Sequence, residues 1–214
     1  CRAMGDIKKA MKYIMERKCK RGGFCFYRLE EPNGSDTYYA VATLKLMDID
    51  FSDEKTVRFL KKMQMPDGTY SGVASAYYSI KSLKMMGEAP DHDPKEYILK
   101  NLKTYSVDRV PPEKGSIFRK MAYMVEICLL VSIKIDKRAR EEIKRFVIKY
   151  SNEDAGFGYE NSTLTETMHA LSILEELKVE YPRRNVRRFV ETCRDPIYGF
   201  VNVPNASISA IEYI

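Results

Sequence analysis

The apolar residues of this chain recur as blocks. Segments 13–24 (YIMERKCKRGGF), 59–70 (FLKKMQMPDGTY), 146–157 (FVIKYSNEDAGF) and 189–200 (FVETCRDPIYGF) each open on an aromatic–aliphatic pair. Each reaches another aromatic eleven residues later, at Phe24, Tyr70, Phe157 and Phe200. A glycine precedes that aromatic by one residue in three segments and by two, as Gly68, in the other. A degenerate fifth copy opens at Ile98-Leu99, keeps Leu102 and loses the glycine–aromatic ending. The starts at 13, 59, 98, 146 and 189 are 46, 39, 48 and 43 residues apart, the period of a helical-hairpin repeat.

Each unit predicts two helices. In the first, Phe59, Leu60 and Met63, or Phe146, Val147 and Tyr150, fall at i, i+1 and i+4 with charges between them, a one-sided amphipathic pattern. Pro66-Asp67-Gly68, Asp154-Ala155-Gly156 and Asp195-Pro196 then break the chain. The second helices, over 37–47, 75–86, 121–133, 166–177 and 207–214, are apolar around more of their circumference, which predicts deeper burial. Ser35 and Asp36 are the expected caps of the first of them. The pattern predicts an all-α array of about ten helices, polar-faced ones outside and apolar ones inside. It forms a single domain over 1–214, with repeats at about 7–50, 51–90, 91–135, 136–181 and 182–214.

Two of these strings carry a family resemblance. Gln64-Met65-Pro66-Asp67-Gly68-Thr69-Tyr70 resembles the Q-x-P-D-G-x-aromatic turn of the prenyltransferase and squalene-cyclase repeat. Gly22-Gly23-Phe24, followed by Ser35-Asp36-Thr37-Tyr38-Tyr39-Ala40-Val41-Ala42-Thr43-Leu44, is similar to the GGF … D-x-(T/Y)-Y-A-L-x-x-L unit of protein prenyltransferase β subunits. The likeness runs from about residue 7 to 214 and is poorest in the third repeat. It implies an α/α toroid, an isoprenoid (prenyl diphosphate) held in a central cavity, and a place within or beside a prenyl-transfer reaction. The motif specifies the fold more than the activity.

The chemistry that the resemblance implies is not written at the matching positions. Protein prenyltransferases use a catalytic zinc held by an Asp-x-Cys pair and a His, because carboxylate, thiolate and imidazole satisfy its tetrahedral site. The pair positions hold Ser35 and Thr37, Thr165 and Thr167, and Asn205 and Ser207, while the His positions hold Asp36 and Glu166. No cofactor is therefore expected, although the family implies zinc. Squalene-type cyclases use an Asp-x-Asp-Asp acid. The nearest string, Asp48-Ile49-Asp50-Phe51-Ser52-Asp53, lacks the adjacent acidic pair and reads as turn chemistry at a helix end. The Cys-Gly-Glu-Gln string of thioester toroids is absent. His92 reads as an exposed loop residue, and His169, one turn from Glu166, as a buried, hydrogen-bonded one. Cys128 and Cys193 read as small core residues.

Aligning the inner helices on Leu44, Leu83, Leu129 and Leu174 stacks Tyr38, Tyr77, Tyr123 and Met168 in one column and Tyr39, Tyr78, Met124 and His169 in the next. Adjacent positions are about 100° apart on a helix, so one column is expected to face the cavity and the other to pack outward. Tyr38, Tyr39, Tyr77, Tyr78, Tyr123 and His169 are the expected cavity lining for a methyl-rich polyprenyl chain, the alternative being that tyrosines simply fill the ring. For a diphosphate, the expected cations are Arg28, one position out of register with an arginine of the family's pocket, and Arg119 with Lys120.

Composition narrows the remaining choices. The chain has 214 residues, 44% hydrophobic and 31% charged, enough for a substantial core. No run reaches the roughly 18 apolar residues of a membrane span, and Lys8, Lys9 and Lys12 interrupt the first apolar stretch where a signal peptide would lie. Five irregularly spaced cysteines argue against a disulfide scaffold and for a reducing, cytoplasmic setting. A single Gln among many Lys, Arg, Glu and Tyr hints at a thermophilic source. The net charge of +6 is too small to predict nucleic-acid binding. It is concentrated in Lys137, Arg138, Arg140, Lys144, Arg145 and Lys149, then in Arg183, Arg184, Arg187 and Arg188. These read as solvated faces of outer helices or as a surface for an acidic partner. The competing function is accordingly a non-catalytic interaction module. Five hairpins begin where family toroids have six, and Cys1-Arg2-Ala3 precedes Met4. The expectation is a fragment of a longer toroid, or an open ring closed by a partner or by a homo-oligomer.

Overall fold

A computed structural model describes residues 2–103, 116–181, 183–196 and 199–204. The chain divides into two compact units, Cys1–Lys100 and Asn101–Ile214. In order, the described residues form α1 (Arg2–Met15), α2 (Gly34–Leu46), α3 (Glu54–Lys61), α4 (Val73–Met85), α5 (Lys95–Lys103), α6 (Arg119–Leu130), α7 (Lys137–Lys149), α8 (Leu164–Glu176) and α9 (Arg183–Thr192). A two-residue antiparallel ribbon follows, β1 (Arg194–Asp195) and β2 (Gly199–Phe200), with Arg194 opposite Phe200. The inner helices α2, α4, α6 and α8 start two or three residues before the apolar pattern does. The fifth inner segment, 207–214, lies outside the described residues.

The early starts follow from capping. α2 begins behind Asn33, whose side chain accepts from the Asp36 N–H at 2.8 Å; Ser35 and Asp36, expected as caps, lie inside its first turn. Thr163 caps α8 in the same way, through the Glu166 N–H at 3.1 Å. Phe118, at the N-cap of α6, offers no side-chain acceptor, and Ser116 accepts the Arg119 N–H at 2.9 Å instead. Glu166 of α8 supports this start, accepting from the Ile117 N–H at 3.0 Å and from the Ser116 hydroxyl at 2.9 Å. A carboxylate near those unpaired N–H groups also opposes the positive end of the helix dipole.

In the first unit, α2 packs on α4, and α4 on α3. Phe24, Ile14, Ala40 and Leu44 form one buried cluster; Val41, Leu60, Leu83 and Met86 form a second. The Gly-Gly-Phe turn is buried, so its N–H groups need acceptors. The Phe24 N–H donates to Thr37 Oγ1 and the Gly23 N–H to Thr56 Oγ1, each at 3.0 Å. Gly22 sits at φ 97°, and a Cβ there would run into the Lys55 carbonyl.

The second unit repeats the device: the Phe157 N–H donates to Thr167 Oγ1 at 2.9 Å. Thr37 and Thr167 each stand four residues after their cap. The equivalent in α4, after Gly72, is Ala76, which cannot accept. There Gln64 joins the repeats instead, accepting from the His92 N–H at 3.0 Å and donating to the His92 carbonyl at 2.9 Å. Phe118 anchors the second unit's core, edge-on to Phe146 at 5.7 Å and to Phe157 at 6.3 Å, while α6 packs on α8.

Candidate functional site

Counting from each cap, Tyr38, Tyr77, Tyr123 and Met168 stand at the fifth helical position, and Tyr39, Tyr78, Met124 and His169 at the sixth. The two columns do not separate into an inward and an outward face. In the first unit all four tyrosines form one cluster: Tyr38 lies 5.5 Å from both Tyr77 and Tyr78, and Tyr39 lies 6.2 Å from Tyr78. The rings are long enough to bridge the angle between adjacent positions, and each inner helix contributes two. Tyr77 is buried, Tyr38 and Tyr78 are half-buried, and Tyr39 is 52% exposed. The cluster thus has an inner floor and an accessible edge.

A cation that the pattern did not single out completes it. Lys81, one turn beyond Tyr77, donates to the Tyr77 hydroxyl at 2.7 Å. Its ammonium lies 5.0 Å from the Tyr77 ring centre and 5.4 Å from that of Tyr38. Both distances fall within the range in which a ring's negative face attracts a cation. The only signal in the sequence is a lysine, one of two in α4, four residues after Tyr77.

The second unit carries the same cross-helix contact with a different pair. Tyr123 of α6 meets His169 of α8 edge-on, at 6.0 Å and 87°, at the same helix positions as Tyr38 and Tyr78 in the first unit, whose rings are tilted at 34°. Burial, and then the positive charge of Arg119, hold the His169 pKa down at about 4, so the imidazole is neutral at pH 7. Arg119 therefore acts at this locus, at the exposed start of α6 beside the exposed Lys120. Arg28 is placed otherwise. It sits at φ 57° in the turn after Phe24 and pairs at 3.1 Å with Glu16, which follows the end of α1. An open cleft of about 830 Å³ near the start of α8 includes Glu153, Asp154, Glu160 and Glu166 in its lining, a charge that repels a diphosphate.

The residues at the family's zinc positions do not fit a zinc ion. Thr37 and Thr167 are buried hydroxyls already accepting turn N–H groups. Thr165 is bonded to Asn202, Asp36 accepts from the Phe26 N–H, and Glu166 supports the start of α6. Asn205 and Ser207 lie outside the described residues. Among the described residues no three His, Cys, Asp or Glu side chains gather as a metal site. Burial pushes the Cys128 thiol up to about 11, which keeps it protonated at neutral pH. In the Asp48–Asp53 string, Asp48 turns the chain at φ 56°, and Asp53 caps α3 and pairs with Lys18 at 2.7 Å. Burial opposes ionisation of Asp53, but the bonds from Lys18 and Thr56 outweigh it and hold its pKa below the usual range. His92 is exposed and is joined to Gln64 through its backbone. Among the described residues no helix is long and apolar enough to cross a membrane.

The family model described as the prenyltransferase alpha-alpha toroid domain matches residues 2–74 and 69–209. No curated protein matches the chain.

Proposed function

We propose that this chain, which belongs to the prenyltransferase alpha-alpha toroid family, binds a prenyl diphosphate, its isoprenoid laid along the tyrosines of α2 and α4 and its diphosphate beside Lys81. The four-tyrosine cluster with an ammonium at its side supports this. Ring faces give a methyl-rich polyprenyl chain a large apolar surface at little cost in side-chain entropy, and burial of that chain drives the association. The ammonium supplies the counter-charge that an aromatic surface lacks. Arg119, whose charge acts on His169, is the corresponding cation of the second unit taken by itself. The proposal stops at binding, since the positions that would carry zinc are engaged in holding the turns together.

Calorimetric titration with geranylgeranyl diphosphate, with and without zinc, tests it. Micromolar, zinc-independent binding is expected. Tyr39→Ala should weaken both the diphosphate and the parent alcohol. Lys81→Met should weaken the diphosphate by about tenfold and leave the alcohol unchanged. Absence of heat from a folded chain at high ligand concentration overturns the proposal.

A further inference from the structure

A separate surface in the second unit has the make-up of a docking site. An open cleft of about 610 Å³ lies between the start of α7 and the loop that follows α8. Its walls carry Lys134, Lys137, Arg140, Lys144 and Lys178, against Glu141 and Glu180. Lys144 is paired with Glu141 at 3.7 Å, and Arg140 donates to the Leu177 carbonyl at 2.8 Å. Lys134, Lys137 and Lys178 make no ion pair with any described residue. The floor is aliphatic: Ile135 and Leu177 are buried and Val179 is half-buried.

Both walls are pinned. The Val179 N–H donates to the Leu174 carbonyl at 2.8 Å with Lys178 at φ 55°, and the Ile133 N–H donates to the Cys128 carbonyl at 2.7 Å with Ser132 at φ 59°. Each is a left-handed helix stop, which fixes the direction of the chain as it leaves the helix. The lysines therefore project from a framework already set before any partner arrives, which lowers the ordering cost of binding.

We infer that this cleft docks an acidic peptide segment of a partner protein, with carboxylates on Lys134, Lys137 and Lys178 and an aliphatic side chain on the Ile135–Leu177–Val179 floor. Unpaired cations above an aliphatic floor complement a chain that mixes Asp or Glu with Leu or Ile. A single-stranded nucleic acid would want rings to stack its bases, and the lining has none. A membrane surface would want apolar side chains that protrude, and here they lie at the bottom between the cations.

Fluorescence anisotropy decides it, using the whole chain and a labelled peptide of about twelve Asp and Glu residues with a central Leu pair. Binding is expected that falls by about tenfold in Lys137→Glu/Lys178→Glu, is restored in Lys137→Arg/Lys178→Arg, and weakens when the leucines become serines. Circular dichroism checks that the reversed variant is folded. Should it not be, a fall in wild-type affinity with added salt, for the leucine peptide above its serine control, carries the same test. No binding at millimolar peptide, equal binding by the charge-reversed variant, or tighter binding of oligouridylate or phosphatidylserine vesicles overturns the inference.

Discussion

Replacing His169 by glutamine should remove a specific part of the chain's sensitivity to acid. The imidazole is only 8% exposed, lies edge-on to Tyr123 and feels the charge of Arg119, so its protonated form is disfavoured in the fold. Its pKa is about 4 in the folded chain, against roughly 6.5 once unfolded. Between those values the unfolded chain binds the extra proton, so stability falls as the pH drops through that window. The full difference is worth about 3 kcal/mol, of which about 2 kcal/mol is lost between pH 7 and pH 5. Urea unfolding followed by circular dichroism at several pH values, wild type against His169→Gln, isolates this term because the other titrating groups are common to both. The wild type should lose about 2 kcal/mol more than the variant over that interval. Parallel curves would refute a neutral, buried His169.

Two other substitutions test the framework. Thr167→Val keeps the shape but leaves the buried Phe157 N–H without its acceptor, and should cost about 1–3 kcal/mol in urea unfolding. Gly22→Ala combines a strained positive φ with a collision against the Lys55 carbonyl. It should cost more than about 2 kcal/mol, seen as a lowered melting temperature.

The hairpin repeat was legible because each helix announces itself by a spacing of aromatics and aliphatics that only one face of a helix can satisfy. The Tyr38–Tyr77–Tyr123 and Tyr39–Tyr78–His169 alignment survives as equal distances from the caps. What those columns touch was not legible, since a tyrosine ring reaches across the angle that separates neighbouring backbone positions. Lys81 was passed over because it is one of two lysines in α4 and looks like a solvated side chain. Nothing local tells that its ammonium turns back to Tyr77, its neighbour one turn earlier on the helix. Arg28, expected from its near-register with an arginine of the family's pocket, carries an exposed ion pair with Glu16. Asn33, two residues before the expected cap, wins because its side chain reaches the Asp36 N–H from outside the helix. The threonine acceptors at 37 and 167 become meaningful only once the turn N–H groups beneath them are seen to be buried.

Photocrosslinking addresses the central claim most directly. A prenyl diphosphate carrying a diazirine on its isoprenoid tail, irradiated with the folded chain and mapped by mass spectrometry, should label peptides from α2 and α4 that contain Tyr38, Tyr39, Tyr77 or Tyr78. That labelling should be suppressed by excess geranylgeranyl diphosphate. Competable labelling confined to other elements would contradict an isoprenoid site on the tyrosine cluster.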